Sequence, residues 1–167
     1  MVLNPELEVI NKAKKAIETW LAPVGLELKP EKPRICHTLN PLRIEGSELT
    51  VNPGFDFLGF NIRQYTKGKH HSGRSGGIAS KLLGFTTLIK PSKKAIKAHH
   101  AALKKVVKAL KTAPQSGLIV KLNPIIKGWA NYYSGVAAKE TFSSEDNILW
   151  QKLRAWSVYR RGRKQKA

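Results

Sequence analysis

The sequence predicts an α+β fold, with a small β-containing portion at residues 1–90 and a basic portion of three helices at 91–167. Three observations carry this. Short runs of β-branched and aromatic residues, broken by Pro and Gly, crowd residues 26–90. Beyond residue 92, apolar residues recur at the period of a helix with one buried face. The 167 residues, 41% of them hydrophobic, suffice for a modest core.

Residues 5–21 read as an amphipathic helix. Pro5 suits a first turn, and Leu7, Ile10, Ala13, Ile17, Trp20 and Leu21 recur at helical spacing until Pro23 and Gly25 intervene. Residues 26–28 and 34–38 read as short strands, and Asn40-Pro41 and Glu45-Gly46-Ser47 as turns. Residues 55–62 are apolar and aromatic and read as one strand. Residues 67–80 carry Gly68, Gly73, Gly76 and Gly77 among basic residues and read as a loop; residues 82–90 close the β portion.

Ser92 is a good N-cap for a helix at 93–111. Its apolar face is Ile96, one of His99 and His100, Leu103, Val106, Val107 and Leu110; Lys93, Lys97, Lys104, Lys108 and Lys111 fall largely opposite. After Pro114, Asn123 as cap and Pro124 as first residue open a second helix to Tyr133, with Leu122, Ile126, Trp129 and Tyr133 as its stripe. A third opens at Ser143 or Ser144, with Glu145 and Asp146 near its positive end, and runs through Leu149, Leu153 and Trp156 to a basic tail from Arg160.

Thirty Lys and Arg oppose eleven Asp and Glu, a net charge of +19. A small chain so charged repels itself unless it meets a polyanion. Between Asp56 and Glu140 there is no acid at all. A folded stretch of that kind cannot neutralise itself by ion pairs and reads as the footprint of a nucleic-acid binder. An anionic membrane surface is the second candidate.

Other classes fall away. No apolar run is long enough to span a membrane, and the polar residues after Met1-Val2-Leu3 hold no signal-peptide block. The single Cys36 forms no internal disulfide and suits a reducing interior. His70-His71, His99-His100 and Cys36-His37 lack zinc-site spacing, and neither a Walker-type glycine loop nor a nucleophile–base pair is present.

The run Leu122-Asn123-Pro124-Ile125-Ile126-Lys127-Gly128-Trp129-Ala130-Asn131-Tyr132-Tyr133 resembles the signature of the maturase-specific domain, domain X, of group II intron-encoded reverse transcriptases. Phe142 and the Trp150, Leu153, Trp156 spacing fit that domain's final helix. Gly54-Phe55-Asp56-Phe57-Leu58-Gly59-Phe60 resembles the last reverse transcriptase block, residues 25–32 the block before it, and Lys90-Pro91-Ser92-Lys93 the entry to the thumb. The resemblance covers essentially the whole chain. It implies the end of a palm at 1–90 and a thumb plus maturase domain at 91–167. It implies a protein that binds structured group II intron RNA and assists its folding and splicing, in the bacterial cytoplasm or, as the alternative, an organelle.

In the family, Mg ions are held by one early palm aspartate and two in a Tyr-Ala-Asp-Asp turn, which would lie just before residue 1. Asp56 and Asp146 match none of these. Two-metal phosphoryl transfer needs carboxylates holding ions about 4 Å apart. This chain alone is therefore expected to carry no catalytic residue, metal or cofactor, although its parent family is an RNA-directed DNA polymerase. Three alternatives stay open: one subunit of a split polymerase that joins a fingers–palm polypeptide, a truncated remnant without function, and a generic basic RNA-binding or ribosome-associated module.

The RNA-binding candidates are Lys93, Lys94, Lys97, Lys104, Lys105 and Lys108 as point charges for phosphate. Lys121, Lys127, Asn131 and Tyr132 follow on the next helix, and Arg160 and Arg161 at the end. Trp129, Tyr132 and Tyr133 are all able to stack on bases, but helical spacing sends Trp129 and Tyr133 to the core. By resemblance Phe57, Leu58, Gly59 and Phe60 form a primer grip. Read as a strand, Phe57 and Leu58 are core, and Gly59 either admits a nucleic-acid backbone or relieves crowding. Lys32 corresponds to a palm lysine near the incoming nucleotide; on its own it reads as an exposed side chain in a Pro-rich turn.

Overall fold

The computed structural model describes residues 2–28, 35–43, 50–68, 71–76 and 80–164. Among them are four helices and two small antiparallel sheets, an α+β fold as expected. The chain divides into two compact units, Met1–Ile35 and Cys36–Ala167.

The first unit is built on helix α1, Leu7–Leu21. A single 3-10 turn, Ala22–Val24, follows, and Gly25 ends it in the left-handed region at φ 72°. Its N–H donates to the Ala22 carbonyl at 3.1 Å. No residue of α1 is buried. Residues 26–28, expected as a strand, form none.

The second unit contains everything else. A two-residue ladder pairs β1, Leu42–Arg43, with β2, Thr50–Val51. The main sheet has order β3-β4-β5, with β3 at Phe55–Phe57, β4 at Phe60–Thr66 and β5 at Phe85–Pro91. Of the strand expected at 34–38, residue 34 lies outside the described residues and 35–38 are not in a strand. They still dock on the sheet, since Gln64 N–H donates to the Thr38 carbonyl at 2.9 Å. The turn expected at Glu45-Gly46-Ser47, together with Lys32 and His70, lies outside the described residues.

The single strand expected at 55–62 is instead a hairpin. Phe57 pairs with Phe60 across a two-residue turn at Leu58-Gly59. Both turn residues have positive φ, 47° and 85°. That is the geometry whose twist matches a hairpin. Leucine is a poor marker for it, because in the left-handed region its Cβ crowds the carbonyl oxygen.

Helix α2, Lys93–Ala109, starts where expected: the Ser92 hydroxyl oxygen accepts from Ala95 N–H at 3.1 Å. Helix α3 spans Gln115–Tyr133, nine residues earlier at its start than Asn123 as cap and Pro124 as first residue suggested. Pro124 lies inside it. An interior proline costs about 3 kcal/mol, and burial of Leu118 and Leu122 in the half-helix that precedes it offsets that cost. Helix α4 spans Lys139–Lys164, opening before the Ser143 or Ser144 that the capping pattern pointed to. Glu140, not Glu145 or Asp146, occupies its first turn.

Leu103, Leu118 and Leu122 form the buried centre of the helical layer, flanked by Val106, Val107, Leu110, Ile125, Ile126, Leu149, Leu153 and Trp156. The helices are tied to the sheet by backbone: Ala137 N–H, in the α3–α4 turn, donates to the Ile89 carbonyl at 3.0 Å.

Candidate nucleic-acid interface

At 100° per residue, Lys93, Lys94, Lys97, Lys104, Lys105 and Lys108 fall within roughly 120° of the α2 circumference. Ile96, His99, Leu103, Val106, Val107 and Leu110 fall on the opposite arc, the one that packs on the other helices. All six lysines are exposed. None makes an ion pair within 4.0 Å among the described residues. The two glutamates of α4 are engaged elsewhere: Glu140 faces Lys90 at 3.7 Å, and Glu145 is buried against α2. Lys93 and Lys94 also sit in the first turn of α2, which contains no acid. Cations there oppose the helix dipole, at a cost of about 0.3–1 kcal/mol each. This end of the helix is therefore doubly attractive to an anion.

That first turn abuts the hairpin. The Gly59 carbonyl accepts from Ser92 N–H at 2.8 Å and from the Tyr133 hydroxyl at 3.1 Å. The Leu58 carbonyl accepts from the Tyr132 hydroxyl at 2.8 Å. Phe60 stacks on Tyr132 at 5.0 Å and meets Tyr133 edge-on at 5.1 Å. A Cβ on Gly59 would lie 2.8 Å from the Tyr133 oxygen, so the close approach that glycine permits here is that of Tyr133. Phe57 and Leu58, expected in the core as strand residues, are 49% and 71% exposed, because the chain turns at them instead of running on. The structure thus gathers Phe57, Leu58, Gly59, Phe60 and Tyr132 at one corner, with Lys93 and Lys94 directly after Ser92. Tyr132, read from sequence as a free stacking residue, is also a strut of that corner.

Lys121, Lys127 and Asn131 are exposed along α3. Arg161 is exposed on α4. Arg160 is not: its guanidinium donates to the Ala113 carbonyl and covers the Trp156 ring at 5.0 Å. Beside it the Trp156 indole N–H donates to the Leu110 carbonyl at 2.8 Å, and Lys111 lies 3.8 Å from the Tyr159 ring centre. Arg160 therefore holds the C-terminal end of α2 to α4. Between the two ends runs the lysine face, about 25 Å long at 1.5 Å per residue.

Under the lysine face lies a second polar cluster. His99 stacks on Trp129 at 4.5 Å, and Trp129 meets Tyr133 at 4.8 Å and Phe142 at 5.7 Å. Trp129 and Tyr133 are therefore core aromatics, as their spacing implied. His100 Nε2 lies 2.5 Å from Glu145 Oε1, and His99 Nε2 lies 3.8 Å from Glu145 Oε2. A carboxylate only accepts, so His100 Nε2 carries the proton of that bond. Burial lowers the His99 pKa and His100 lowers it further, against the opposing pull of Glu145. Burial, with Tyr132 adding to it, raises the Tyr133 pKa and keeps its hydroxyl a donor to Gly59. The helical pattern flagged one inward histidine but missed its partner, since Glu145 read as an N-terminal acid.

The residues present do not fit the Mg site of a polymerase. Among the described residues no group of three His, Cys, Asp or Glu is placed to hold a metal ion. The Asp56 carboxylate accepts instead from Asn61 Nδ2 at 2.7 Å. No helix among the described residues is long and apolar enough to cross a membrane.

A three-helix unit with an aromatic, leucine-rich interior and one uncompensated cationic face defines a helical domain built to present positive charge. Residues 96–167 match the family described as group II intron, maturase-specific domain, and this part of the chain is similar to such a domain. The match contains the whole 122–133 run and all of α4. No curated protein matches the chain.

Proposed function

We propose that the chain binds structured group II intron RNA through the lysine face of α2 and assists the folding and splicing of that RNA, the RNA itself performing the transesterifications. The observation that carries this reading is the exposed set Lys93, Lys94, Lys97, Lys104, Lys105 and Lys108, none of them in an ion pair among the described residues, the last four within the match to the maturase-specific domain and the first two just before it. Lys121, Lys127 and Arg161 add further exposed cations, and Asn131 an exposed amide that can hydrogen-bond. The reading assigns the chain no chemical step.

Binding through six lysines to single-stranded phosphates gives a log–log salt slope of roughly −4. Exchanging Lys97, Lys104 and Lys108 together for Glu is expected to weaken RNA binding and flatten that slope while helicity by circular dichroism is retained. A salt-independent Kd in the unsubstituted chain refutes the reading. A second reading, docking to a separate polypeptide that carries polymerase aspartates, draws on α1, where Trp20 is 72% and Leu7 46% exposed. Primer extension restored by adding such a polypeptide supports it.

A further inference from the structure

Helix α4 carries two tryptophans six residues apart with opposite fates. Trp156 is half-buried and its N–H is satisfied by the Leu110 carbonyl. Trp150 is 58% exposed, and no described protein group accepts from its indole N–H. The Arg154 guanidinium lies over the Trp150 ring, 5.5 Å from its centre. Trp150, Arg154, Val158 and Arg161 are all exposed and fall within roughly 80° of the helix circumference, away from Leu149, Leu153 and Trp156. After Asp146 the sequence contains no acid.

An indole left this open loses the benefit of burying its large apolar surface. One ring face with a guanidinium over it and the rest open to solvent is the arrangement that holds an unpaired base: the base stacks on the indole and the cation reaches its phosphate. The cations of the ridge fit a polyanion. A neutral or basic protein surface would leave Arg154 and Arg161 opposed to like or absent charge.

We infer that Trp150 and Arg154 form a stacking platform for one unpaired nucleotide of the bound RNA, a site separate from the α2 lysine face. The inference rests on the RNA-binding reading and adds to it a preference for unpaired over paired nucleotides. Sequence spacing alone does not separate Trp150 from the core tryptophans; the contrast in burial does.

The test uses the full chain and two RNAs of equal length, a hairpin with an unpaired purine loop and a blunt duplex. Trp150→Ala is expected to raise Kd for the hairpin about tenfold, as for one base–aromatic stack, and to leave the duplex Kd and the thermal melting curve unchanged. Trp150→Phe is expected to keep most of the hairpin affinity. A 2-aminopurine in the loop is expected to be quenched by the unsubstituted chain and not by Trp150→Ala. Equal weakening for both RNAs, no weakening for either, or a Phe variant as weak as the Ala variant overturns the platform. A dimer seen by sedimentation that Trp150→Ala dissolves also overturns it, assigning the ridge to a second copy. Failure of the unsubstituted chain to bind either RNA defeats the RNA reading itself, whereas binding that ignores Trp150 defeats only the platform.

Discussion

Helices α1 and α2 are nearly the same length, 15 and 17 residues, and both are amphipathic. Their surroundings differ completely. α2 buries His99 and Leu103, lays its apolar arc on α3 and α4, and is capped by Ser92. α1 buries nothing and has no side-chain cap. An apolar stripe specifies that a segment is helical and which face turns inward. It does not specify that a second face exists to meet it. For α2 that face is supplied by Leu118, Leu122, Leu149 and Leu153. The lysines of α2 are displayed outward because the opposite arc is anchored; those of α1 belong to a helix in which Leu7, Val9, Ile17 and Trp20 are exposed and no residue is buried.

The sharpest way to break this comparison is to remove the anchor. Trp129 joins His99 of α2, Tyr133 of α3 and Phe142 of α4 in one aromatic cluster. Trp129→Ala is expected to destabilise the second unit by about 3–5 kcal/mol, as for loss of a packed aromatic. Chemical denaturation followed by far-UV circular dichroism checks it. An unchanged midpoint would show that the ring contacts contribute nothing and that α2 is held by its leucines alone.

How much of this was legible in the sequence follows from the same physics. α2 was read correctly in position, cap and face, because Ser92, the period and the lysines all agree. The extent of α3 was not, because Asn123-Pro124 carries a local start signal that the burial of Leu118 and Leu122 overrides. The turn at Leu58-Gly59 was hidden since leucine is not expected at positive φ; what holds it there is capture of its two carbonyls by Tyr132, Tyr133 and Ser92. Those partners are more than thirty residues away, so no local pattern announces them. The cationic character of the site was readable from composition. The structural duty of Arg160 and the exposure of Trp150 were not, because both depend on which arc of α4 meets α2.

A gentler perturbation titrates the junction rather than deleting it. His99 is held neutral by burial, with His100 reinforcing and Glu145 opposing. Its pKa lies below 6.5 in the fold and returns to 6.5 in the unfolded chain. Below 6.5 the unfolded chain therefore binds the proton more readily than the folded one. The stability this group contributes is complete above 6.5 and is lost as pH falls from there through the lowered value. Urea midpoints measured from pH 7.5 to 5 are expected to fall on the acid side. His99→Phe keeps the ring against Trp129 and removes the titration, so its profile is expected to be shallower. An identical slope in that variant would show that His99 does not carry the pH dependence.

The smallest expected effect concerns the other half of the comparison. Ile17 belongs to the apolar stripe of α1 yet is 39% exposed, and Trp20, one turn on, is 72% exposed. Ile17→Ala creates no buried cavity and replaces a β-branched residue by the best helix former. The two contributions are each a few tenths of a kcal/mol and opposite in sign: a little apolar contact is lost and a little propensity gained. The net change is expected to stay within about 0.5 kcal/mol, against the several kcal/mol expected at Trp129. The midpoint of thermal unfolding, read at 222 nm on both variants side by side, makes the contrast directly. A loss above about 2 kcal/mol would mean that the stripe of α1 is packed in solution, on a second copy if the loss shrinks on dilution and within the chain if it does not.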